Sequence, residues 1–166
     1  MDVVTVDVSF EERYWYPDDG AIVWLAGYQL VDPITGAFVA RDAAVLADAG
    51  LRVAGVAGAA RHHAEALQSQ EAAPGSTLAL RRDAANAHDP NAIAVHVAGG
   101  EQIGWVPRSL AEELAPALDD GVAWSAIALR ERRASPREPR DGLTMLLARA
   151  SAIELKVHDR RPPRRS

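Results

Sequence analysis

Residues 86–108 read NAHDPNAIAVHVAGGEQIGWVPR, and the reading of this stretch decides the fold. A polar corner, Asn86 to Asn91, precedes an alternation with Ile93, Val95 and Val97 on one face and Ala92, Ala94 and His96 on the other. Period-two alternation predicts a half-buried strand, because successive side chains leave opposite faces of the pleat. Gly99-Gly100 is a hairpin dipeptide, suited to a turn that needs positive φ. The chain then returns through Gln102 to Pro107, with Ile103 and Trp105 expected on a shared face. Ser109 to Glu112, SLAE, has the spacing of a capping box. The helix it opens carries Leu110, Leu114 and Leu118 at i, i+4 and i+8. Pro116 is expected to kink or shorten that helix, and Gly121 to close it.

Working outward, LRVAGV at 51–56 reads as a strand and Ala59 to Gln70 as a short alanine-rich helix. Pro74-Gly75 is a turn, and STLALRR puts Leu78 and Leu80 on one strand face. Downstream, VAWSAIAL is a strand, RERRASPREPRDG an exposed arginine- and proline-rich loop, and LTMLLARASAIELKV one or two strands. Residues 1–50 alternate short apolar runs with turn signals at Pro17–Gly20 and Asp32–Gly36, the pattern of short strands and hairpins. Seven of the nine aromatic residues precede Val39: Phe10, Tyr14, Trp15, Tyr16, Trp24, Tyr28 and Phe38. A segment this aromatic is expected to pack on something. The elements together predict a mainly β (α+β) protein: a small barrel-like β domain with two short helices over 51–157. A short, β-rich, acidic and aromatic extension precedes it at 1–50, and a basic disordered tail follows at 158–166.

The 166 residues, 48% hydrophobic and 25% charged, have globular composition and suffice for a sizeable core. With no cysteine there is no disulfide, thiolate metal site or cysteine nucleophile. The first residues lack a basic region followed by an apolar run, and no apolar stretch is long enough to span a bilayer. A soluble, cytoplasmic protein without membrane partners is expected. One lysine against seventeen arginines, with abundant alanine, suggests a GC-rich bacterial genome. The net charge of −5 hides a gradient: −7 over 1–50, −4 over 51–129 and +6 over 130–166. Such asymmetry suits an anionic partner, and equally a solvated loop and tail.

The central motifs have a recognisable order: V-x-G-V at Val53 to Val56, a helix, L-x-L-x-R-D, N-x-x-D-P-N-A-I-x-V at Asn86 to Val95, then G-x-x-I-G-W-V-P-R and a helix. Over Leu51 to Val157 the chain resembles the HIRAN domain, which opens certain Swi/Snf-type DNA-remodelling ATPases and also occurs alone in bacteria. The resemblance implies an oligonucleotide-binding-like (OB-like) β-barrel that captures the free 3′ end of single-stranded DNA in replication and repair. Carried over residue by residue, Asp89 accepts the terminal 3′-hydroxyl and Asn86 is its polar neighbour. His88 stacks where the family often has an aromatic, Arg108 meets phosphate, and Trp105 stacks or fills the core. Each has a structural counterpart. Asn86 and Asp89-Pro90 favour turns on their own account, Arg108 is a solvated charge before a helix, and Asn91 is structural.

The loop after V-x-G-V departs from the family. Relatives place an arginine or similar polar residue and base-stacking aromatics there, whereas this chain has Ala57, Gly58, Ala59 and Ala60. A lost stacking platform is worth roughly 1–3 kcal/mol per base. Either Tyr14, Trp15 and Tyr16 supply the missing platform, or the acidic N-terminal segment lies across the groove and blocks DNA. The altered Ala57-Gly58 platform also favours an alternative, a non-catalytic protein-interaction adaptor on the same barrel that docks through the aromatic N-terminus or the arginine-rich loop.

Other chemistry finds no support. There is no G-x-x-x-x-G-K-[ST] phosphate loop, so a DNA-remodelling ATPase or nuclease would be a separate partner. His62 and His63, adjacent on a predicted helix, point about 100° apart and suit no common metal. No G-x-S-x-G elbow occurs. No cofactor, no metal and no catalytic residues are expected.

Overall fold

The computed structural model describes residues 2–16, 22–40 and 44–158. Among these residues nine strands form one mixed sheet: β1 (Val3–Trp15), β2 (Val23–Leu30), β3 (Leu51–Gly55), β4 (Thr77–Arg82), β5 (Ile93–Val97), β6 (Gln102–Trp105), β7 (Ser125–Arg133), β8 (Arg140–Ala148) and β9 (Ala152–Val157). Three short helices accompany them: α1 (Ala44–Asp48), α2 (Ala59–His62) and α3 (Arg108–Asp119). The expected turn at Pro17–Gly20 and residues 159–166 of the expected tail lie outside the described residues.

This is the mainly β protein that the sequence predicts, and β7 explains its shape. On one edge β7 pairs with β4 through Ala126 and Ile127, then with β2 through Arg130 to Arg133. Its other edge pairs with β8, which in turn pairs with β3. The pairing order β6-β5-β4-β7-β2-β1-β9 therefore branches at β7 and does not close on itself. All pairings are antiparallel except β1 with β9.

Period-two alternation gives β7 and β8 two buried faces. Ala126, Ala128, Leu143, Met145 and Leu147 join one hydrophobic cluster with β5, Ile103 and the Leu114 face of α3. Ile127, Leu129, Leu146 and Ala148 join a second with Val6, Val8, Leu30, Leu46 and Leu51. The composition break at residue 50 is thus no break in the structure: β1 and β2 are strands of the common sheet and cover the second cluster. Deleting residues 1–50 would strip partners from β7 and β9, so point substitutions are the cleaner probe of this segment.

Several local expectations change. The helix over 59–70 is one α-turn, α2, followed by 3-10 turns at Ala66–Gln68 and Gln70–Ala72. Tertiary contacts override alanine's helix propensity here: Arg140 claims the carbonyls of Leu67 (2.7 Å) and Ser69 (3.0 Å). The capping box does not form. Helix α3 starts at Arg108 behind Pro107, whose carbonyl accepts from Ala111 N, so Ser109 lies inside the first turn. Pro116 sits within α3 without ending it, and Gly121 (φ 82°) follows its C-cap, Asp120. Alternation in β5 is less marked than expected, since Ala92 and Ala94 are buried along with Ile93, Val95 and Val97. The expected arginine-rich loop is mostly strand, with β7 running to Arg133 and β8 starting at Arg140.

Candidate nucleic-acid interface

The polar corner joins β4 to β5 and is held by its own side chains. Asn86 Oδ1 accepts from the backbone N–H groups of His88 (2.9 Å) and Asp89 (3.0 Å), while its Nδ2 donates to Asp83 (3.2 Å). Asp89 Oδ1 accepts from Asn91 N (2.9 Å). These are Asx turns, in which a short polar side chain substitutes for a backbone acceptor. Both polar atoms of the Asn86 side chain are thereby engaged, whereas Asp89 Oδ2 accepts no hydrogen bond within the described residues. His88 is exposed.

Arg82 ties the corner to α3. Its guanidinium donates to the carbonyls of Ala92 (2.8 Å) and Pro90 (3.0 Å) and to both carboxylate oxygens of Asp119 (2.9 and 3.2 Å). The hydrogen bonds from Arg82 hold the Asp119 carboxyl below its ordinary 3.8, against a smaller opposing effect of desolvation. The pair's contribution is complete above 3.8 and fades as pH falls through the lower folded value. An NMR titration of the Asp119 carboxyl should show this depression, and Arg82→Met should abolish it.

Trp105 ends β6 opposite Ala94. A register shift between Val95 and His96 interrupts the β5–β6 ladder. Trp105 consequently parts from Ile103 and belongs to neither hydrophobic cluster. It exchanges two backbone hydrogen bonds with Ala57 (2.8 and 2.9 Å), clamping the segment after β3 against β6. A Cβ on Gly58 would lie 3.5 Å from both Trp105 Cδ1 and His62 Cδ2, so the two rings flank that glycine. Arg108 is exposed at the start of α3. The topology brings the five predicted residues to one end of the β4–β5–β6 layer: the corner leads into β5, Trp105 lies opposite Ala94, and Arg108 follows three residues later.

Beside Gly58 a groove of about 890 Å³ opens between the β1–β2 hairpin and the β3–α2 and β7–β8 segments. Gly55, Gly58, Ala59 and Ala60 contribute small groups to it, and Arg13 and Trp15 come from β1. Arg61, His62, Arg130 and Arg132 add basic groups, and Glu131 and Asp141 are its acids among the described residues. Glu131 is bonded by Arg133 (2.7 Å) and Arg140 (2.8 Å), and Asp141 by Arg132 (3.0 Å). Arg130 donates to the Tyr28 carbonyl (2.8 Å).

A family model described as the HIRAN domain matches residues 51–140, more than half of the sequence. The chain belongs to the HIRAN domain family. A Fanconi-associated nuclease 1 homolog from Oryza sativa subsp. japonica is 45% identical over 62 residues, which cover 36% of this chain and 6% of the nuclease. The crystal structure of the HIRAN domain of human HLTF aligns at a TM-score of 0.43 and 24% identity, over 60% of this chain and 77% of that one.

The HIRAN match contains all five predicted residues, yet it omits β1, β2, β9 and nearly all of β8. Trp15 and Arg13 were therefore beyond the reach of the motif. Their shared face follows from i, i+2 spacing in a strand, but which face meets the HIRAN core depends on long-range pairing. Of the three N-terminal aromatics expected as a platform, only Trp15 lines the groove.

Proposed function

We propose that this protein binds single-stranded DNA and captures its free 3′ end, acting by binding and not by catalysis. HIRAN membership indicates a DNA-binding module, and the finer reading draws on Asp89. A carboxylate with one oxygen committed to a turn and the other available is a ready acceptor for a terminal hydroxyl. Around it, Arg108 offers a cation for phosphate and His88 and Trp105 offer rings for bases. A soluble cytoplasmic setting, with a separate DNA-remodelling ATPase or nuclease as partner, fits a module of this kind. No helix among the described residues is long and apolar enough to cross a membrane.

The test is fluorescence anisotropy with a labelled single strand, comparing a free 3′-hydroxyl with a 3′-phosphate at two salt concentrations. Asp89→Asn is the sharp variant, since an amide oxygen still accepts from Asn91 N while the available carboxylate oxygen becomes a donor. Hydrogen bonds to charged groups are worth about 1.5–3 kcal/mol, so affinity for the hydroxyl-ended strand should fall roughly tenfold or more. Asn86→Ala behaves differently, because it orphans two backbone N–H groups. It should lower unfolding stability by about 1–2 kcal/mol, read from the urea midpoint. Binding indifferent to the 3′ end, and fading with salt, would leave the arginines alone as the cause. Absence of binding at low salt would favour the adaptor reading, for which the exposed Phe10, Tyr14 and Tyr16 provide a surface.

A further inference from the structure

We infer that the groove between the β1–β2 hairpin and the β3–α2 segment carries the strand that leads away from the captured end. Trp15 stacks on one of its bases, and Arg13 and Arg61 meet its phosphates. This rests on the proposed function and adds a second contact region, outside the HIRAN match on its β1 side.

Size comes first. At about 890 Å³ the groove lies in the upper part of the range for ligand clefts, about 300–1,000 Å³, ample for a nucleotide segment. Part of its β3–α2 side is low in side-chain bulk, because Gly55, Gly58, Ala59 and Ala60 are small, while Val56, Arg61 and His62 line the same side. That side leaves room for a flat base, and Trp15 supplies an aromatic face from β1. The Trp15 side chain is 47% exposed, so its ring is not consumed by the core.

Charge gives the same answer. Among the described residues, both acids of the lining are already bonded to arginines. The side chains of Arg13 and Arg61 are exposed and have no hydrogen-bond or ion-pair partner among the described residues. Two cations without a carboxylate partner among the described residues, lining the same groove as an exposed indole, match the backbone-and-base chemistry of a single strand. Continuity is the third observation: Gly58 lines the groove and also touches the region of Trp105, at the end of β6. A strand held near Trp105 has the groove as its neighbouring path.

The experiment uses the full chain and a labelled strand of about ten nucleotides, within the site sizes of single-strand-binding folds. Trp15→Ala should weaken binding roughly tenfold, and Trp15→Phe should recover most of that loss. Arg13→Ala should reduce the slope of log affinity against log salt by about 0.7, the value for one phosphate contact on a single strand. Arg149→Ala, an exposed change outside the groove, should bind as the unchanged protein does. Tryptophan fluorescence of the unchanged protein should be quenched by the strand, and this quenching should shrink in Trp15→Phe. Wild-type affinity in Trp15→Ala, or polyglutamate competing as well as a strand of similar charge, would overturn the inference. Failure here with hydroxyl-dependent binding intact leaves end capture standing. Weakening in Trp15→Ala of binding that ignores the 3′ end sinks end capture and keeps the groove. A chain that binds no strand at all defeats both.

Discussion

Arg140→Ala should lower unfolding stability by about 3–5 kcal/mol, the usual cost of leaving one member of a buried ion pair behind. Arg140 is 5% exposed and Glu131 6%, and they meet at 2.8 Å across the β7–β8 hairpin. The guanidinium also donates to the carbonyls of Leu67 and Ser69, while Gln68 brackets the Arg140 backbone through both its amide atoms (2.7 and 2.8 Å). One arginine therefore pins the 3-10 segment to the sheet. Arg133 still partners Glu131 in the variant, which favours the lower end of the range. Replacing Glu131 and Arg140 together by apolar residues removes the stranded charge and should recover part of the loss. Recovery stays incomplete because the two carbonyls lose their donor in either case, at about 1–3 kcal/mol for an unsatisfied buried group. Urea denaturation of both single variants and the double variant closes the cycle. A single variant within 1 kcal/mol of wild type would mean that water replaces the guanidinium, and the pinning account would fall.

That network was illegible in the sequence for a definable reason. Arginines and prolines between two apolar runs read as a solvated loop, and nothing local shows that Arg140 faces a carboxylate nine residues earlier. The polar corner was legible because Asx turns and glycine hairpins are decided within a few residues. Mainly β architecture was legible from alternation at 93–97 and from the short apolar runs. Helix boundaries at 59–72 and at 107–109 were not, since carbonyls claimed by Arg140 and the proline at 107 outweigh alanine propensity and the SLAE spacing. Trp105 illustrates the same limit at the site. Simple alternation pairs it with Ile103, and only the irregular register of β6 frees it from the core. The N-terminal strands are the largest case. Their aromatic content signalled packing, but a role in the common sheet depends on β1 meeting β9 about 150 residues later in sequence.

Gly104→Ala should combine loss of stability with loss of binding. Gly104 has φ 156°, a conformation that side-chain-bearing residues rarely adopt, and strain of this kind costs about 1–3 kcal/mol. Space is short as well: a Cβ would sit 2.5 Å from Val56 Cγ1 and 2.6 Å from the Ala57 carbonyl oxygen. Overpacking adds about 1–3 kcal/mol, so a total of about 2–6 kcal/mol is expected in urea denaturation. Adding Val56→Ala should not rescue the variant, because the backbone oxygen of Ala57 stays in place. Relief must come by moving the segment after β3 away from β6. That movement stretches the two hydrogen bonds between Ala57 and Trp105 and displaces Gly58, the residue shared by Trp105 and the groove. Affinity for a single strand should therefore fall even at denaturant-free, low-temperature conditions where the variant remains folded. If the folded variant binds as tightly as wild type, the contact between β6 and the β3–α2 segment does not shape the interface. Glycine in the I-G-W-V-P-R motif would then serve packing alone.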